Sequence, residues 1–159
     1  MKQTVKISAY SLILTLLSLG IMVAVLIYEI RMDEKWLAIC WGSLVGIILL
    51  LALFYMPMSV SVDDKTLNIN RSLRIKSIPL SDIASVKLCA PTMGAKRVCG
   101  SGGWFGYWGW FSERDLGKYF AYYGRSSDCF LVTLTDGRLY MLGCQNPDAM
   151  VSAIQSRLK

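Results

Sequence analysis

The sequence predicts an α+β chain on a membrane anchor: a two-helix transmembrane hairpin, then a seven-stranded antiparallel barrel or sandwich with a closing C-terminal helix. Three observations predict it. Two long runs near the start are apolar and uncharged. After Pro57 the hydrophobic period changes to two, the period of a strand with one buried face. The last dozen residues form an amphipathic segment behind a helix-capping residue. Composition agrees: of 159 residues, 54% are hydrophobic and 18% charged, against ~45–50% and ~25% in soluble domains. Mean hydropathy is +0.44. Such a chain is neither disordered nor one soluble domain with a large core. It has no histidine, so His-based triads, His zinc sites and His-ligated haem are excluded.

The first run, Ile7 to Tyr28, holds 22 uncharged residues, and the second, Trp36 to Val62, holds 27 and is strongly apolar as far as Met56. About 20 apolar residues at ~1.5 Å each cross a ~30 Å hydrocarbon core, so helices are expected over about 7–28 and 36–56. The first run is too long for the ~7–15-residue core of a signal peptide and lacks a cleavage site. Leu37-Ala38-Ile39-Cys40 has a large residue where a lipoprotein site needs a small one. Gly42 and Gly46 have the GxxxG spacing that lets helices approach closely. The link Glu29 to Lys35 is seven residues, short enough to force an antiparallel hairpin. Lys2, Lys6, Lys65, Arg71, Arg74 and Lys76 flank the outer ends, against Arg31 and Lys35 in the link. That bias places both termini and the C-terminal part in the cytoplasm. Tyr28 and Trp36 suit interfacial anchoring. Residues 1–57 are thus the membrane hairpin and 58–159 a second domain. Cys40, Cys89, Cys99, Cys129 and Cys144 are odd in number and have no CxxC spacing, which fits reduced thiols in a reducing compartment.

In that second domain Val60 and Val62, Leu67 and Ile69, and Leu73 and Ile75 alternate with polar residues, giving three strands. Ile83 to Leu88 is a fourth. Lys118 to Tyr123, Cys129 to Thr135 and Arg138 to Cys144 are the fifth to seventh. Asp136-Gly137 is a strong two-residue hairpin signal. Asn146 is an N-cap, Pro147 suits the first helical position, and Asp148 complements the positive helix end. Met150, Val151, Ile154 and Leu158 share one face, which closes one end of the strands.

Three segments carry a resemblance over residues 58 to 159. They are Ile78-Pro79-Leu80-Ser81-Asp82-Ile83, the run Gly100-Ser101-Gly102-Gly103-Trp104-Phe105-Gly106-Tyr107-Trp108-Gly109, and the last hairpin with its helix. Together with the membrane hairpin, the pattern resembles the bacterial pleckstrin-homology-like (PH-like) membrane proteins. The resemblance implies a scaffold or interaction module at a membrane, here the cytoplasmic face of a bacterial inner membrane. Eukaryotic relatives often bind inositol phospholipids through basic residues in the first β-hairpin. Here that turn is Asp63-Asp64-Lys65, a departure that argues against phosphoinositide recognition by this protein.

Arg97 to Gly117 holds six glycines and the aromatics Trp104, Phe105, Tyr107, Trp108, Trp110 and Phe111. No helix with phosphate-facing amides follows Gly100-Ser101-Gly102-Gly103, and Gly117-Lys118 lacks a Walker A context, so no nucleotide cofactor is expected. Two readings remain. The aromatics fold back over an open sheet edge, or they form an amphipathic lip that meets the bilayer or docks a protein. In the second, Lys96, Arg97, Arg114 and Lys118 face anionic headgroups. The domain carries 13 Lys and Arg against 8 Asp and Glu, but no basic helix or nucleic-acid motif. Glu113, Arg114 and Asp115 read as a surface turn, and Asp63-Asp64 as a solvated turn rather than an acid–base pair. The expected function is a non-enzymatic interaction or scaffold module, without cofactor or metal. Its partner is the membrane together with an unidentified protein or a second copy. The alternative is an accessory subunit or regulator of a membrane complex, and an enzyme with an unrecognised site ranks below both.

Overall fold

The computed structural model describes residues 1–158. A short strand β1 (Lys2–Thr4) precedes two helices, α1 (Ala9–Arg31) and α2 (Lys35–Tyr55). Both are long and apolar enough to cross a membrane. They start or end within three residues of the expected limits. Ser8 caps α1 by accepting the Ser11 amide. Of the two GxxxG glycines, Gly42 abuts Leu26 of α1 while Gly46 faces open space, so only one end of that motif is a contact.

Nine further strands follow: β2 (Pro57–Val62), β3 (Thr66–Arg71), β4 (Ile75–Pro79), β5 (Ile83–Leu88), β6 (Lys96–Gly103), β7 (Gly106–Glu113), β8 (Gly117–Tyr123), β9 (Cys129–Leu134) and β10 (Leu139–Gly143). They form two open sheets, β1-β2-β3-β4 and β5-β9-β10-β8-β7-β6. The expected seven-stranded antiparallel barrel or sandwich is therefore corrected in its strand number and its closure. The Gly-aromatic segment folds as a strand hairpin, adding β6 and β7, the N-terminal residues add β1, and the sheets are open rather than a closed barrel. The physical reason is the last hairpin. Asp136-Gly137 folds β9 back on β10 as expected, but the pair inserts between β5 and β8. The β10 strand then runs parallel to β8, with Tyr140 opposite Phe120 and Leu142 opposite Tyr122. This widens the second sheet and leaves β6 as a free edge.

The main core lies between the sheets. Val60, Val62, Leu67 and Ile69 meet Phe130, Val132 and Leu142, and all seven are fully buried, each worth about 1.5–3 kcal/mol. Helix α3 (Pro147–Leu158) closes this core with Met150, Val151 and Ile154. The Asn146 side chain accepts the Ala149 amide at 3.2 Å, so the expected cap is present. A second core covers the opposite face of the larger sheet, with Phe111, Tyr119, Ala121, Tyr123, Cys129, Leu131 and Met141. The two faces explain why β9 and β10 read as nearly continuous apolar runs.

The segment joining β5 to β6 crosses beside this second core, and Glu113 holds it there. The carboxylate is 5% exposed. It accepts the Tyr119 hydroxyl at 2.5 Å, the Thr92 hydroxyl at 2.8 Å and the Thr92 amide at 3.2 Å. The expectation of a surface turn is thus corrected for Glu113, which ends β7 facing inward; Arg114 and Asp115 are exposed.

All five cysteines are unpaired. Burial pushes the Cys144 thiol up to about 11 from 9.0, and pushes Cys129, Tyr119 and Tyr123 well above their usual values. The unfolded chain releases these protons from about pH 9 upward, whereas the folded chain keeps them. Their stabilisation is complete below the unfolded values and is lost as pH rises toward the folded ones. The urea midpoint in neutral detergent is expected to fall between pH 8 and pH 10.5. Tyr119→Phe should flatten that fall, and a midpoint rising with pH would contradict the burial of these groups.

Candidate functional site

The β6–β7 hairpin is turned by two residues, Trp104 and Phe105. Phe105 has a φ of 52°, an uncommon conformation for an aromatic residue. The tip rests on α1. The Thr15 hydroxyl accepts the Phe105 amide at 3.0 Å, and the Ser18 hydroxyl accepts the Trp104 indole N–H at 2.7 Å. The Ser101 hydroxyl, on β6, donates toward the carbonyls of Trp104 and Gly106 at 2.6 and 3.1 Å. Ser11, Thr15 and Ser18 share one face of α1 by their i, i+4, i+7 spacing. Ser11 and Thr15 are the two buried residues of α1, whose other residues are exposed or half-buried. That hydroxyl stripe was readable in the sequence and is the signal that the apolar count passed over.

The six aromatics divide three ways. Tyr107 and Phe111 face the second core, stacked on Tyr123 and Tyr119 at 4.8 and 6.1 Å. Trp108 and Trp110 occupy the other face. Trp108 stacks on Tyr55, the last residue of α2, at 5.3 Å, and Trp110 meets Phe120 edge-on at 5.1 Å while 42% exposed. Trp104 and Phe105 pack edge to face at the tip, 4.9 Å apart. The segment thus contains both a core-covering pair and outward aromatics.

The four cations do not gather at that tip. Lys96 and Lys118 both lie opposite Ser112, seven residues from Phe105 along β7, or roughly 23 Å. Arg114 is in the turn after β7 at the same end. Arg97 alone reaches back along the hairpin, lining a hollow with Ile48, Leu51, Trp104 and Trp108.

A second basic group, formed by Arg71, Arg74 and Lys76 on the β3–β4 hairpin, was counted in the sequence only for membrane orientation. It lines a cleft of about 460 Å³ with Tyr55, Phe120 and Tyr122. The Arg71 guanidinium lies over the rings of Tyr55 and Tyr122, at 5.6 and 5.7 Å, and donates to the Tyr122 hydroxyl at 3.4 Å. Lys76 donates to the Tyr140 hydroxyl at 2.8 Å. Burial pushes the Tyr122 phenol up to about 12 although Arg71 pulls it down, so it stays a hydroxyl at neutral pH. Residues from α2, β3, β4 and β8 meet here, a convergence that no local motif announces.

Among known protein families, the bacterial PH domain matches residues 58–158. No curated protein matches the chain, and no solved structure does.

Proposed function

The chain belongs to the bacterial PH domain family, and from that premise we propose a non-catalytic interaction and scaffold module held at the cytoplasmic face of a bacterial inner membrane. In this reading α1 and α2 cross the bilayer with both termini cytoplasmic. Residues 1–57 are the anchor and 58–159 the module, with β1 the strand by which one grips the other. The Gly-aromatic hairpin contacts the bilayer through Trp104 and Phe105, and Trp110 with the free β6 edge is offered to a protein partner or a second copy.

One observation carries the bilayer contact: the tip is hydrogen-bonded to Thr15 and Ser18 of α1. Those residues lie six and nine positions past the helix start, about 9 and 14 Å along its axis. A helix that crosses the membrane from Ala9 carries the tip into the near leaflet. Polar groups at such depth need internal hydrogen-bond partners; Ser101 and Thr15 supply them for the backbone and Ser18 for the Trp104 indole N–H.

Benzoylphenylalanine placed at position 105 of the full chain in native membranes tests this. Irradiation is expected to yield adducts with lipid acyl chains. Adducts to protein alone, or none, would show that the tip is not in lipid; adducts to protein alone would favour the accessory-subunit alternative.

A further inference from the structure

The geometry points to a binding site for one anionic phospholipid, its phosphate held by Arg71, Arg74 and Lys76 and one acyl chain laid against Leu51, Tyr55, Trp108 and Phe120. The inference rests on α2 crossing the bilayer as proposed above. Three cations share the cleft, and among the described residues none of them pairs with a carboxylate. The Arg71 guanidinium has only the Tyr55 and Tyr122 rings and the Tyr122 hydroxyl beside it among the described residues. The uncompensated positive charge of the cleft therefore selects an anionic ligand.

The neighbouring surface identifies the rest of the ligand. Tyr55 and Phe120 are shared between the basic cleft and an adjoining hollow of about 350 Å³, walled also by Leu51, Trp108 and Trp110. The lining changes from cationic to apolar across Tyr55, whose ring lies between Arg71 and Trp108. Trp108 adds an apolar ring to the wall of the hollow, stacked on Tyr55 at 5.3 Å. Tyr55 ends α2, the level at which headgroups begin, and Leu51 lies one turn deeper. A free phosphate uses the cationic half only, whereas a phospholipid fills both. Leu73 and Ile75, on the same hairpin as the cations, leave 58% and 59% of their surfaces exposed, apolar points that a lipid surface covers. The acidic first turn, Asp63-Asp64-Lys65, lies at the opposite end of β3 and contributes nothing to the cleft.

The test uses the full chain in neutral detergent, with bound lipid counted by native mass spectrometry. One phosphatidylglycerol per chain is expected to be retained, and phosphatidylcholine is not. Loss of two cations, exposed Arg74 and half-buried Lys76, should weaken retention roughly 30-fold in Arg74→Gln/Lys76→Gln. Arg74 is exposed on the turn, so Arg74→Gln alone keeps the fold and should give roughly a fivefold loss. Lys96→Gln/Lys118→Gln removes the same charge at the remote end of the hairpin and should retain lipid as wild type does. Equal losses in the two double variants, equal retention of phosphatidylcholine, or complete displacement by millimolar inorganic phosphate would each overturn the site. If position 105 still photolabels lipid while Arg74→Gln/Lys76→Gln binds normally, this site fails and the membrane reading stands. If position 105 labels no lipid, the membrane reading fails first and takes this inference with it.

Discussion

Gly109→Ala is expected to unfold the β6–β7 hairpin, lowering stability by about 3–5 kcal/mol. Gly109 lies directly opposite Gly100, and both have positive φ, 115° and 124°. A Cβ on Gly109 would overlap the Cys99 carbonyl oxygen and come 2.7 Å from the Gly100 Cα. Neither clash involves a flexible side chain that can swing aside, so the strands must part. Their parting displaces Trp108 from Tyr55 and lifts the tip from α1. Urea unfolding of the full chain in neutral detergent, followed by tryptophan emission, measures the loss. Gly46→Ala, with open space around it, is the matched control and should leave the midpoint unchanged or slightly raised. Equal midpoints for Gly109→Ala and wild type would mean that the two strands are not packed as described.

Glu113→Ala should cost about 2–4 kcal/mol, because it strands the Tyr119 hydroxyl, which is completely buried. Thr92 is exposed and regains water, so its share of the loss is small. The effect is spatially specific. The segment between β5 and β6 loses its only side-chain tether to β7 among the described residues, and the Thr92 amide should exchange its hydrogen much faster than in wild type. Glu113→Gln keeps one acceptor oxygen for Tyr119 but turns an N–H2 toward another donor, and should recover about half of the stability. Unchanged exchange at Thr92 in the alanine variant would contradict the buried-carboxylate arrangement.

Strands with alternating Val, Leu and Ile were legible because each apolar side chain marks a buried face, and Asp136-Gly137 and Asn146-Pro147 announce their turn and cap through backbone chemistry. The β6 and β7 strands escaped because glycine marks no face. In Lys96–Gly103 three of eight residues are glycine, and in Gly106–Glu113 aromatics point to both sides. Glu113 was misplaced because a charged residue beside Arg114 and Asp115 reads as surface, and only the distant Tyr119 and Thr92 make its burial tolerable. The sheet order was hidden for a similar reason: nothing in Cys129–Leu134 states that its hairpin inserts between β5 and β8. The aromatic residues were visible as a group, whereas the Arg71 cleft needs four elements brought together before it exists.

The pairing of β1 with β2 bears on how the chain assembles. Lys2, Gln3 and Thr4 lie opposite Ser61, Val60 and Ser59, partners 55 to 59 positions away. Joining such distant segments in a loose chain is entropically expensive and slow. Here the intervening residues form two antiparallel helices whose outer ends return to the same place. Once α1 packs on α2, most of that loop-closure entropy has already been spent, and β1 meets β2 as a nearly local event. The helical pair therefore acts as the folding template of the smaller sheet. Lengthening the link between α1 and α2 should slow formation of that sheet far more than it weakens the finished one.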